Sequence, residues 1–204
     1  MQRGGEVAPG REAERVAPSA ELFGREAELD ALAKLLGDRA GRPSGIVIEG
    51  PAGSGKTTLW RAAVERATAD GDLVLSCRAA GTEVHLALSA LSDLLEAHLA
   101  TILPTVPSPQ RRALQVALLL EDDGGQPPEQ RALFAGVLNA LRSVARDRSV
   151  VLAIDDAQWV DPQSAETIEF ALRRLRDVPV AVLDRKSTRL NSSHSRASRM
   201  PSSA

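Results

Sequence analysis

Residues Gly50-Pro51-Ala52-Gly53-Ser54-Gly55-Lys56-Thr57 read G-x-x-x-x-G-K-[ST] without a mismatch. Glycine at these places lets a loop wrap its backbone N–H groups round an anion, in conformations and at distances that a Cβ would obstruct. Lysine at the seventh position reaches the β and γ phosphates of a nucleoside triphosphate as a point charge, and the hydroxyl at the eighth is suited to ligating magnesium. Thr58 borders the loop and is read chiefly as an early helix residue, though it is counted with the nucleotide-binding candidates. The chemistry these residues permit is the binding of a triphosphate.

Such a loop needs a carboxylate at the tip of a neighbouring strand, to hold magnesium through its hydration shell. Two acidic runs qualify, Val150-Val151-Leu152-Ala153-Ile154-Asp155-Asp156 and Leu118-Leu119-Leu120-Glu121-Asp122-Asp123. The second is leucine-rich, continues a helical stretch from Gln110 and runs into Gly124-Gly125, so it reads as a helix end with a polar loop. The first has the β-branched make-up of a buried parallel strand and leaves Asp155 at its carboxyl end, where open sheets place their ligands. Asp155 joins Thr57 as the metal candidate. Asp156 is the catalytic candidate, orienting or deprotonating an attacking water, with the role of second metal ligand as an equal alternative. Many phosphate-loop ATPases carry Glu there, and Asp is one methylene shorter, so slow hydrolysis is expected. Gln158 is a polar alternative for positioning water, although a lone loop glutamine is more often structural.

The loop must sit between a strand and a helix, and the flanking residues supply both. Ile46, Val47 and Ile48 form a β-branched run, and a helix is predicted from about Gly55 to Ala69, its positive end beneath the anion. Upstream, Ala27, Leu29, Leu32, Leu35 and Leu36 recur at helical spacing, with Gly37 as a stop and a turn over Gly41 to Gly45. Downstream, Leu73 to Cys77 is a strand after the Asp70-Gly71-Asp72 turn. Three helical stretches follow, near Val84 to Ala100, Pro109 to Leu120 and Glu129 to Arg146. Val150 to Ile154 is a strand, Asp161-Pro162 an N-cap and first helical position for a helix to about Arg176, and Val180 to Leu183 the last strand. Strands alternating with helices predict an α/β phosphate-loop NTPase fold, a parallel sheet with helices on both faces.

At 204 residues and 43% hydrophobic, the chain is long enough for one domain with its own core. Residues 1 to 20 mix Gly, Pro, Glu and Arg with few apolar side chains larger than alanine, which predicts a flexible tail. A net charge of −2 offers no basic face to nucleic acid or anionic lipid. The single cysteine, Cys77, excludes an internal disulfide, and His85, His98 and His194 make no metal cluster with it, which points to a reducing, cytoplasmic setting. No apolar stretch reaches the roughly 20 residues that span a bilayer, so no membrane partner is expected. The isolated residues have ordinary expectations: Trp60 in the core, Trp159 a packed aromatic, Asp161 a helix cap, Cys77 a small strand residue, and His85 and His98 partly exposed on helices without partners.

Phe23-Gly24-Arg25-Glu26, the loop from Gly50 to Thr57, and Asp155-Asp156-Ala157-Gln158-Trp159-Val160-Asp161 together resemble the ATPase module of large LuxR-type bacterial transcriptional regulators, in the STAND class of AAA-related switches. The stretches Leu86 to Leu95 and Pro109 to Leu114 are similar to that family's insert, and the resemblance covers about residues 21 to 183. It implies ATP and ADP as ligands, Mg2+ as cofactor, Gly24 and Arg25 near the adenine, and ATP-dependent self-association of the full-length protein. DNA would be bound only through a C-terminal helix-turn-helix domain that lies outside this chain.

After Leu183 the character changes: the eleven residues from Asp184 to His194 read, codon by codon, as a translated sequencing-library adapter. Residues 184 to 204 are accordingly expected to be a non-native tail, Arg185 included, and the domain over 21 to 183 to be C-terminally incomplete. The resemblance then implies a missing sensor arginine and a missing final strand beside Ile46 to Ile48, which predicts poor solubility through an open sheet edge. The competing function is a free-standing kinase for a small acceptor, which would need an arginine-bearing lid where Gly81 to Gly125 offers leucine-rich helices. Direct DNA binding is the weakest reading, since no recognition-helix pattern is present.

Overall fold

The computed structural model describes residues 25–37, 43–125 and 129–187. In chain order the elements are α1 (Glu26–Gly37), β1 (Ser44–Gly50), α2 (Lys56–Ala69), β2 (Leu73–Arg78), α3 (Ser89–Glu96), α4 (Leu99–Ile102), α5 (Ser108–Ala117), α6 (Gln130–Asp147), β3 (Val150–Asp155), α7 (Pro162–Arg174) and β4 (Val180–Ser187). The tail over 1 to 20, Phe23 and Gly24, residues 41 and 42 of the expected turn, and residues 188 to 204 lie outside the described residues, and the rest of that turn runs into β1 at Ser44.

The four strands pair in parallel in the order β1-β4-β3-β2, which is the expected α/β architecture. All six residues of β3 are buried, as a central strand covered on both faces must be. Alternate residues serve opposite faces. Val151, Ala153, Ala181 and Leu183 pack with Ile46 and Ile48 against Leu32 and Leu36 of α1 and Leu59, Ala63 and Ala67 of α2. Val150, Leu152, Ile154 and Val180 face the larger core, with Leu73, Leu75 and Cys77 of β2 and apolar residues of α3 to α7. Aromatic rings contribute little to it: Phe134 and Phe170 pair with centroids 4.9 Å apart, Arg174 stacks on Phe170, and a Cβ at Gly136 would come within 3.1 Å of Leu114. Small residues are what let α5 and α6 approach so closely.

Helix ends depart from expectation where local hydrogen bonding overrides periodicity. The stretch predicted from Val84 begins its helix only at Ser89, because the Asp161 carboxylate accepts from the N–H groups of Leu88 (2.9 Å) and Ala90 (3.2 Å) and fixes the entry there, with Leu88 left-handed at φ 63°. His85 therefore lies in an exposed turn. His98 marks the break between α3 and α4, with its ring 3.3 Å from the Val74 carbonyl. α5 closes at Ala117, not Leu120. Leu119 N–H bonds the Val116 carbonyl and Leu120 N–H the Gln115 carbonyl, the helix-terminating pattern usually built on glycine, here with Leu119 at φ 57° and exposed. The last strand outruns its expected end at Leu183 and stays paired with β1 to Ser187, so the boundary drawn from sequence falls inside β4.

Asp161 is the N-cap of α7, accepting from Ser164 N–H, and the same carboxylate caps α3; Ser164 Oγ in turn accepts from Leu91 N–H. Burial alone would raise its pKa, but the hydrogen bonds from Ser164, Leu88 and Ala90 prevail and hold it below the usual carboxylate value. Asp161→Ala leaves several buried donors unpaired and is expected to cost about 2–4 kcal/mol in urea unfolding. On β4, burial, opposed by Lys186 and aided by Glu49, pushes Asp184 up to about 6. A carboxyl with a raised folded pKa stabilises while protonated and loses that contribution as pH rises. Asp184→Asn should therefore melt higher than the wild type above pH 6, with the gap closing as pH falls toward 3.8.

Candidate nucleotide site

Parallel strands aligned in register bring their carboxyl ends to one edge. Gly50 lies opposite Ser187, and Arg185 lies level with both Ile48 and Asp155. The loop from Pro51 leaves β1 at that edge and turns into α2. Gly53 and Gly55 take φ of 80° and 74°, left-handed values that favour glycine, and a Cβ at Gly50 would meet Ser54 Oγ at 2.9 Å. Pro51, Ala52 and Gly53 are exposed, Ser54 is partly buried and its N–H bonds the Pro51 carbonyl. Gly55 is the N-cap of α2 and has no side chain to cap with, so the first N–H groups of the helix receive no side-chain cap from it.

Lys56 is buried at 7% exposure and folds back over the loop, with Nζ donating to the carbonyls of Gly50 (2.8 Å) and Pro51 (2.7 Å). Thr57 stands in the first turn of α2; Thr58 is partly buried beside it. Arg25, just ahead of α1, donates Nη2 to the Ser54 carbonyl at 2.6 Å and faces Glu28 at 3.5 Å. Its position bears on the loop itself. Gly24 lies outside the described residues.

Across the edge, Asp155 ends β3, buried at 6% exposure, and Asp156 follows at φ 56°, a left-handed conformation that Asp tolerates better than most residues. The two carboxylates and the Thr57 hydroxyl meet on Arg185. Its Nε donates to Asp155 Oδ1, Nη1 to Thr57 Oγ1 at 2.8 Å, and Nη2 to Asp156 Oδ2 at 2.8 Å. Gln158 donates to the other Asp156 oxygen at 3.1 Å, and Arg78 lies 3.8 Å from Asp155 Oδ2. Glu121, Asp122 and Asp123 belong instead to the turn after α5, where Asp122 and Asp123 accept from Gly124 and Gly125 N–H. Arg185 falls in the stretch that reads as translated adapter, and is for that reason absent from the expected site. The signal that could have found it is strand register, since β3 and β1 both need a partner at that level.

Other singled-out residues stay clear of this cluster. Trp60 packs on the α1/α2 core, and Trp159 is 42% exposed with its ring against Gly81, so it is less packed than expected. Cys77 is buried, and burial, with Asp93, Asp155 and Asp161 adding to it, pushes its thiol up to about 12, which leaves it unreactive. No helix among the described residues is long and apolar enough to cross a membrane.

The profile of the AAA ATPase domain matches residues 21–183. This chain belongs to the AAA ATPase domain family. An uncharacterized protein of Rhizobium meliloti is 27% identical over 192 residues, an overlap covering 79% of this chain and 18% of that protein. Among solved structures, the chain is similar to the Aeropyrum pernix ORC2 protein, determined as ADPNP-ADP complexes, with a TM-score of 0.51 at 20% identity over 86% of this chain and 43% of that one. The likeness extends the parallel sheet and its helices to a known nucleotide-loop fold. Arg25→Ala removes the side chain bonded to Ser54, and hydrogen exchange at the amides of residues 53 to 57 is expected to speed up severalfold, on the order of one hydrogen bond's worth of protection.

Proposed function

We propose that this AAA ATPase domain binds ATP with Mg2+ and serves as the nucleotide switch of a larger bacterial regulator of the LuxR type, in the STAND class. The observation that carries the nucleotide reading is the meeting of Thr57, Asp155 and Asp156 on one cationic group, beside a glycine loop that carries Lys56. A hydroxyl and two carboxylates are hard oxygen donors, the set that magnesium prefers. In this reading Thr57 and Asp155 would hold the metal, with phosphate oxygens and water as its other ligands. When bound, magnesium would neutralise charge between the β and γ phosphates.

The chain's own groups do the rest. Loop N–H groups and the N-terminus of α2 receive the phosphates. Lys56 exchanges its two carbonyl acceptors for phosphate oxygens. In this reading Asp156 orients water, and its short side chain, which accepts from Gln158, favours slow hydrolysis. Gly24 and Arg25 border the adenine in this reading, with Arg25 also bracing the loop. ADPNP and ADP, the ligands of the archaeal neighbour, are the natural probes beside ATP.

The regulator reading rests on the motif set Phe23-Gly24-Arg25-Glu26 and Asp155 to Asp161, and accords with a curated relative several times longer than this chain. In it, ATP controls self-association of the full-length protein in the cytoplasm, and DNA is contacted through a separate C-terminal domain. Moving such a switch from 1:99 to 99:1 takes about 5.5 kcal/mol of differential binding. Residues 184 to 204 remain, in this proposal, an appended tail.

Calorimetry with ATP and magnesium tests the site. Lys56→Ala is expected to weaken binding by one to two orders of magnitude, from bonds of roughly 1.5–3 kcal/mol each, and Asp155→Ala to abolish the benefit of magnesium. Unchanged affinity in Lys56→Ala would sink the assignment.

A further inference from the structure

Asp156 takes φ 56° and ψ 47°, a left-handed conformation that a residue with a Cβ keeps only where its surroundings hold it there. The first restraint is the short 3-10 turn Ala157–Trp159, in which Trp159 N–H donates to the Asp156 carbonyl at 2.9 Å. Gln158, inside the same turn, donates to the Asp156 carboxylate at 3.1 Å, so the place of the turn also sets the aim of the side chain. One 3-10 turn is a weak restraint by itself. The six-membered ring of Trp159 supplies another by lying on Gly81, where even a Cβ would stand at contact distance, 3.4 Å from Cδ2 and Cε3. Gly81 is not among the glycines with positive φ, so what it contributes is a direct seat for the ring on the backbone. Trp159 belongs to neither core and is 42% exposed, so burial does not account for where it sits.

That seat is the middle one of three ties between residues 79–91 and residues 155–164. At one end Ala79 N–H donates to the Asp155 carbonyl at 3.1 Å. At the other, the Asp161 carboxylate accepts from Leu88 and Ala90 N–H, and Ser164 Oγ from Leu91 N–H. Both outer ties are polar and belong to the strand end and the helix starts. Between them, the Trp159 ring joins the loop that carries Asp156 to the facing segment. We propose that Trp159 is a positioning residue for ATP hydrolysis: seated on Gly81, it holds the left-handed turn that points the Asp156 carboxylate. The inference rests on the reading of Asp156 as the group that orients water. A general base or water-orienting group loses its effect when displaced by an ångström or so, whereas the glycine loop and Lys56 bind phosphate from another segment. Loss of the ring therefore slows turnover and spares binding.

The test is single-turnover hydrolysis of bound ATP by the full 204-residue chain, beside the ATP dissociation constant of each variant. Trp159→Ala is expected to slow the single-turnover rate about tenfold to a hundredfold with affinity held within about twofold. Trp159→Phe, which keeps a ring on Gly81, is expected to recover most of the rate. A wild-type rate in Trp159→Ala overturns the proposal, as does a loss of affinity that matches the loss of rate, or a phenylalanine variant as slow as the alanine one. Should Trp159→Ala not fold, Gly81→Leu attacks the same contact from the facing segment, with the same slowing expected and a wild-type rate again overturning the idea. If the wild type binds or turns over no ATP, the reading of Asp156 fails on its own. Hydrogen exchange of the nucleotide-free proteins then decides the role of Trp159: amides 157 to 160 are expected to exchange about tenfold faster in Trp159→Ala than in the wild type or Trp159→Phe, and equal exchange overturns the proposal.

Discussion

The parallel register of β4 between β1 and β3 is the constraint on which the rest depends. It aligns Ile48, Asp155 and Arg185 at one level and sends the loop, the acidic strand end and the arginine to the same edge. Parallel strands need covering helices on both faces, and their side chains alternate between the two cores. On β4, Ala181 and Leu183 serve one core and Val180 the other, which leaves position 185 to emerge where the sheet's packing ends. The site is thus a by-product of strand alignment. No single segment contains it.

Buried charge shows how the rest of the fold supports that edge. Among the described residues the buried charged side chains are Lys56, Asp155, Asp161 and Arg185. Three sit in the site, and the fourth closes two helix starts at once. Asp161 follows the loop that carries Asp156 and Gln158, and by capping both α3 and α7 it ties that loop to the larger core at two points. A helix N-terminus leaves unsatisfied N–H groups that must find partners, and a carboxylate is the group best suited to them. The acidic loop is held from behind by the same chemistry that shapes its front.

Much of this was legible because the signals were local. The glycine loop, the Val150 to Ile154 run and the Asp161-Pro162 helix entry each carry their instruction within a few residues. The ends of α3 and α5 were not legible for a physical reason. Leu88 and Leu119 take left-handed backbone conformations without glycine, so sequence shows no stop where hydrogen bonds from distant or unfavoured partners impose one. The capping of α3 comes from a residue more than seventy positions later. Arg185 was hidden differently: its neighbours lack apolar periodicity, and only pairing with β1 and β3 makes a strand of them.

Lys56 shows how such a site can be both stable and ready to bind. Its ammonium, buried in the loop, is satisfied by two neutral carbonyls of that loop, so burying it leaves no donor grossly unpaired. Hydrogen bonds with one ionised partner are roughly twice as strong as neutral ones, and an anionic acceptor adds direct charge attraction that a neutral carbonyl lacks. On the proposed function, a phosphate presented to the loop would compete for the lysine with Gly50 and Pro51, and the released carbonyls would lie at a partly exposed edge where water can take them. Arg185, by contrast, has two carboxylates among its acceptors, so its bonds are charge-assisted on both sides.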